Sequence, residues 1–206
     1  IRYKVGMVMQ YPEYQLFADT VYEDIAYGPK NMGLSSDEIN IRVLRSAMFC
    51  GIDEDTLKKS PFDLSGGQKR RVALAGAMAM QPKILVLDEP AAGLDPRGRR
   101  EILGGICKYR EESGTTVIIV SHSMEDMAVL ADKLLVMNKG SLAMFDTKEN
   151  VFKNGDKLRE MGLNVPIVTR VFDILRQKGL KLPDDVFTVS RAVEVLNKLK
   201  GGGYSA

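Results

Sequence analysis

Two stretches within residues 64–89 decide the fold: Leu64-Ser65-Gly66-Gly67-Gln68-Lys69-Arg70-Arg71-Val72 and, beyond Pro82, Leu85-Val86-Leu87-Asp88-Glu89. In the first, two glycines stand directly ahead of a helical run over 68–80 that stops before Pro82. Glycine lets backbone N–H groups approach an anion closely, and a helix N-terminus adds partial positive charge. Ser65 adds a hydroxyl donor. The second stretch closes an apolar strand over 83–88 with two carboxylates. Ligands of an open parallel sheet bind beyond the carboxyl ends of its strands. One acid there can hold Mg²⁺, directly or through water, and its neighbour can polarise an attacking water. Each stretch alone has a plain structural reading, as a turn before a helix and as solvated acids at a loop. It is their combination and order that carry information.

Outward from this pair the chain alternates strands and helices. Upstream lie a nearly all-apolar strand at 5–10, broken by Tyr11-Pro12, and a short helical segment over 19–28 closed by Pro29. A helix then opens with Ser35 and Glu38 in a capping-box pattern and carries Ile39, Val43, Ala47 and Met48 on one side, ending at Gly51. Downstream come a helix over 97–112 ending near Gly114, an apolar strand over 115–121, a helix over 123–131 and a third strand over 133–138. Residues 141–145, after Gly140, can hairpin with that strand. Apolar strands separated by helices imply a parallel sheet covered on both faces. After Thr147 the composition changes. Two amphipathic helices, over 166–178 and 188–200, flank a break at 179–183, and Pro166 suits a first helical position. The tail 201–206 reads as disordered.

The bulk numbers exclude several classes. The 206 residues are 45% apolar, enough for a sizeable core. With 29 basic against 27 acidic residues the net charge is +2, which gives no nucleic-acid footprint. No apolar run reaches the ~18 residues of a membrane span. Cys50 and Cys107 lack metal-ligand spacing and read as free buried thiols of a reducing compartment.

The residues around Ser65-Gly66-Gly67-Gln68 resemble the signature motif of ATP-binding-cassette ATPases, and the other landmarks follow in that family's order. Gln10 is similar to its Q-loop glutamine, Asp88 and Glu89 to its Walker B aspartate and catalytic glutamate, Ala92-Gly93-Leu94-Asp95 to its D-loop, and His122, the only histidine, to its switch histidine. The stretches Gln10-Tyr11-Pro12-Glu13-Tyr14-Gln15-Leu16-Phe17, Leu94-Asp95-Pro96-Arg97-Gly98-Arg99 and Ser121-His122-Ser123-Met124-Glu125-Asp126 resemble the energy-coupling-factor importer ATPases of prokaryotes, as does Gly162-Leu163-Asn164-Val165-Pro166. The resemblance implies a P-loop-type α/β ATPase domain over 1–146 with a helical subdomain at about 18–80, a helical appendage over 147–200 and a tail over 201–206. It implies ATP and Mg²⁺ as cofactors and catalytic roles for Glu89, His122 and Gln10. Mg²⁺ falls to Asp88 and Gln10, and a neighbour's ATP to Ser65, Gly66, Gly67 and Gln68. Asp95 would couple the two sites. The implied partners are a second cassette, identical or paralogous, a transmembrane coupling subunit and a substrate-binding membrane subunit. Residues 19–28 would lie by the groove for the transmembrane subunit, at the cytoplasmic face of the membrane. The implied cargo is a vitamin or metal-ion cofactor.

One family element is not in this sequence. No G-x-x-x-x-G-K-[ST] loop occurs, nor any Gly-Lys pair, and no aromatic precedes Gln10 at the distance of an adenine stack. The expectation is a cassette lacking its N-terminal part, inactive by itself. Its sheet would miss a strand beside the Walker B strand. The alternatives are a non-hydrolytic interaction module that offers its signature face to a complete partner, and an ATPase of another transporter type.

Overall fold

Ile84–Asp88 (β2) is the middle strand of a three-stranded parallel sheet, with Val5–Val8 (β1) on one side and Thr116–Val120 (β3) on the other. The computed structural model describes residues 3–200, the side chain of Lys200 excepted, so the tail expected to be disordered lies outside the described residues. The chain divides into two compact units, Ile1–Ser121 and His122–Ala206. The composition change after Thr147 falls inside the second unit, between its hairpin and the helices that follow it.

In the first unit the β-branched and leucine-rich strands stack in register, Met7 beside Val86 beside Ile118 and Val8 beside Leu87 beside Ile119. One face is packed: Val8, Leu85 and Leu87 are buried, the two leucines fully. The other is open, with Met7 57% and Ile118 48% exposed and Val86 half-buried. The expected cover on both faces is therefore absent among the described residues. The expected gap beside β2 is also corrected, because β2 is hydrogen-bonded on both sides and the edge strands are β1 and β3.

The helices of this unit are Val21–Asn31 (α1), Ser36–Phe49 (α2), Glu54–Leu57 (α3), Gly66–Ala79 (α4) and Pro96–Ser113 (α5). α4 is the hub, packing against α1, α2, α5 and β1. It buries Val72, Leu74, Ala75 and Met78, while α1 presents Val21, Ile25 and Ala26 with no exposed area. α5 and the end of α2 approach so closely that a Cβ on Gly105 would collide with the Phe49 carbonyl oxygen. Arg71 on α4 ties this junction, donating to the Cys50 carbonyl at 3.0 Å and to Glu101 Oε2 on α5 at 2.7 Å.

Several local expectations are revised. Pro29 lies inside α1 rather than closing it; it stands in the last turn, and the helix runs on to Asn31. The capping box at Ser35 is half formed: Ser35 Oγ accepts from the Glu38 amide at 3.3 Å, but the Glu38 carboxylate turns to Arg42 one helical turn on, at 2.7 Å. Met48 is 62% exposed, and Ser46 and Phe49 take its place on the buried side of α2. Cys50 is buried, and burial pushes its thiol up to about 12, whereas Cys107 is only partly covered.

The second unit contains Met124–Leu130 (α6), an antiparallel hairpin of Lys133–Asn138 (β4) and Ser141–Thr147 (β5), then Lys148–Lys153 (α7), Gly155–Glu160 (α8), Ile167–Gln177 (α9) and Val189–Lys200 (α10). β4 is thus no third member of the parallel set, since Gly140 at φ 78° turns the chain straight back on it. Pro166 sits one place before α9, as its N-cap. α9 and α10 close on a small core of Phe172, Leu182, Val186, Ala192 and Val195. Phe152 of α7 stacks on Phe187 with ring centroids 5.5 Å apart.

Candidate active site

The parallel register brings the carboxyl ends of all three strands to one edge. Val8 stands level with Leu87, and Asp88 level with Val120, so Gln10, Asp88, Glu89 and Ser121 all emerge there. Asp88 is the half-buried last residue of β2. Glu89 follows in a left-handed backbone conformation, φ 49°, uncommon for a residue with a Cβ. Its amide donates to the Val120 carbonyl at 2.9 Å, its carbonyl accepts from the Ala92 amide at 3.2 Å, and its Oε2 accepts from Ser121 Oγ at 3.3 Å. The carboxylate is thereby fixed across the end of β3.

On β1 the turn is equally abrupt. Gln10 is exposed, and Tyr11 takes a left-handed conformation, φ 63°, ahead of a 3-10 turn over Pro12–Gln15. Phe17 and Ala18 then donate their amides to Asp24 Oδ2 at 2.9 and 3.0 Å, which ties this loop to α1. The exposed rings of Phe17 and Tyr27 meet edge to face at 4.8 Å, and Tyr14 is 85% exposed beside them in sequence.

The Ser65–Gln68 segment is the first turn of α4, which starts two residues earlier than its sequence pattern suggests. Ser65 Oγ accepts from the Gln68 amide at 3.4 Å, and Gln68 Oε1 takes both the amide and the hydroxyl of Ser65 at 3.0 Å. The box rigidifies the turn, so the expected hydroxyl donor is engaged within the chain. Gly66 and Gly67 are ordinary helical residues, outside the left-handed region, and need no glycine for their backbone conformation. A Cβ at Gly66 would meet nothing within 4 Å, while one at Gly67 would stand 3.1 Å from Leu94 Cδ2. The helix end therefore offers an exposed Gly66 and a half-buried Gly67, neither with a side chain, as a surface where an anion could approach the first-turn amides.

Asp95 is exposed and caps α5, accepting from the Gly98 amide at 2.6 Å. His122 is exposed and opens the second unit, just ahead of Ser123, whose hydroxyl caps α6 by accepting from the Asp126 amide at 3.2 Å. Sequence reasoning missed Arg70. It is 7% exposed, donates to the Ala92 carbonyl, and lies 3.5 Å from Glu13 Oε2. Its burial is set by residues distant in sequence, and nothing in the run Lys69-Arg70-Arg71 sets it apart from its basic neighbours.

These residues fit part of a magnesium nucleotide. A single strand-end carboxylate suits Mg²⁺, which keeps several waters and leans on phosphate oxygens. Among the described residues no group of three or more His, Cys, Asp or Glu could hold a metal alone. The cradle for the β- and γ-phosphates is not in these 206 residues.

Comparison with known proteins gives the family. The family profile described as "ABC transporter" matches residues 1–92. The chain is 54% identical, over 95% of its length and 69% of the relative's, to the "Energy-coupling factor transporter ATP-binding protein EcfA2" of Clostridium perfringens. Among solved structures, cbiO1 from the same organism, described as part of the ABC transporter complex cbiONQ, matches at 37% identity with TM-score 0.69, covering 85% of this chain and 68% of that one. A dimeric ATP-binding cassette in a post-hydrolysis state, bound to ADP and Pi, matches at 27% identity and TM-score 0.61, over 70% of this chain and 63% of that one. The fold is that of an ATP-binding-cassette ATPase domain. Within that class, the chain belongs to the ATP-binding proteins of energy-coupling factor transporters.

Proposed function

We propose that this chain supplies the hydrolytic acids and the signature face of an ATPase that powers an energy-coupling-factor importer, for a vitamin or a metal-ion cofactor. The observation that carries the reading is Glu89, fixed by Val120 and Ser121 at the end of the central strand, directly after Asp88. ATP supplies the transferable phosphoryl group and Mg²⁺ offsets its charge, so the protein's part is positioning and electrostatics. Asp88, with Gln10, holds the cation. Glu89 orients and activates the water and Gln10 senses the γ-phosphate, the role that the family resemblance also gives His122. The open amides of Gly66 and Gly67 take up the nucleotide held by a second cassette, identical or paralogous, in a head-to-tail pair. A membrane subunit would seat on the exposed rings of Tyr14, Phe17 and Tyr27, with the protein at the cytoplasmic face of the membrane. A separate membrane subunit would choose the cargo.

The test is Glu89→Gln in a complete protein that carries the phosphate loop. The shape is kept and the charge lost, so ATP binding persists while turnover falls about a hundredfold or more. Turnover at the wild-type rate would take Glu89 out of the reaction, and the reading with it.

A further inference from the structure

Arg70 stands one turn into α4, immediately behind the Ser65–Gly67 surface. Its guanidinium is buried and reaches the loops that follow Glu89 and Gln10. On one side it donates to the carbonyl of Ala92, in the loop between Glu89 and Asp95. On the other it faces Glu13, in the 3-10 turn that follows Gln10. Leu94 packs at the Gly67 backbone of the same helix, so the loop after Glu89 touches α4 at two points. The Glu13 contact is incomplete. At 3.5 Å it lies within ion-pair reach, yet Glu13 Oε2 is buried without a hydrogen-bond partner. A buried carboxylate oxygen left unbonded beside a guanidinium is costly, and a small shift of α4 or of the turn would close the bond.

We propose that Arg70 and Glu13 form a positioning pair that links the signature face to the chain's own catalytic loops. An anion drawn onto the Gly66–Gly67 end of α4 moves the helix. Arg70 passes that movement to the Glu89–Asp95 loop through Ala92 and to the Gln10 turn through Glu13. This rests on the hydrolytic reading given under Proposed function. Arginine's planar fork serves two acceptors at once; lysine, a single point charge, does not.

The experiment uses the complete protein with its partner subunits and compares Arg70→Lys, Glu13→Gln and the double variant. Kd for ATP, the thermal midpoint and kcat are measured for each. Expected is a loss in kcat of about tenfold for each single variant, with Kd and midpoint unchanged, and a double variant no slower than the worse single one. Wild-type kcat in Arg70→Lys would overturn the proposal, as would losses that multiply in the double variant. So would parallel losses of Kd, midpoint and kcat, the mark of a merely structural arginine. Should Arg70→Lys fail to fold, Glu13→Gln alone decides through the same split between kcat and Kd. If the wild-type complex itself turns over no ATP, the hydrolytic reading fails, and this pair with it.

Discussion

Gly66 occupies a position that any residue could take: its backbone is helical and a Cβ would meet nothing within 4 Å. Nothing among the described residues explains the glycine, which points to an approach from outside. Gly66→Ala should therefore leave the fold as stable as before, or more so by up to about 1 kcal/mol, because alanine has less backbone entropy to lose. In a complete cassette pair the same change should cut ATP turnover, because the methyl group stands where a neighbour's phosphate would dock. Denaturant unfolding of the chain and turnover of the pair are the two measurements. If stability and turnover fell together, Gly66 would be a packing residue. Gly67 differs, with Leu94 Cδ2 3.1 Å from its would-be Cβ, and a substitution there disturbs both functions at once.

The elements were legible where local chemistry settles them. Residues 133–138 form a strand as their pattern indicates, and Ser35 caps its helix, accepting from the Glu38 amide. The caps at Thr20, Asp53, Ser65, Asp95 and Ser123, each accepting from an amide three residues on, were not read from the sequence. Illegible were features set by distant partners. An apolar run does not say which of its faces is covered, so β3 read as buried although Ile118 and Val120 are 48% and 54% exposed. The motif residues of the site were readable, but the left-handed turn at Glu89 and the burial of Arg70 depend on Val120, Ala92 and Glu13, all far away in sequence. The two faces of the sheet differ enough to measure. Leu87→Ala, on the packed face, should cost ~2–5 kcal/mol. Ile118→Ala, on the open face, should cost less than about 1 kcal/mol. Urea midpoints of the two variants check this, and equal losses would mean that the open face is covered in solution.

For the whole molecule, the 206-residue chain joins strand-end acids to a signature turn but holds no G-x-x-x-x-G-K-[ST] loop. Without that cradle the β- and γ-phosphates have no backbone donors and no lysine. The purified chain should therefore show no ATP hydrolysis above background, followed by phosphate release. Turnover that disappears in Glu89→Gln would refute this. The uncovered row of Met7, Val86 and Ile118 also governs how the chain behaves on the bench. It lies on a small sheet whose outer strands, β1 and β3, are edges among the described residues, and a greasy strip beside open strand edges recruits further copies of itself. Concentration, more than heat, is then the stress that drives the chain out of solution. Lysine at position 7 or 118 is the simplest remedy: it charges the strip and leaves the packed face untouched.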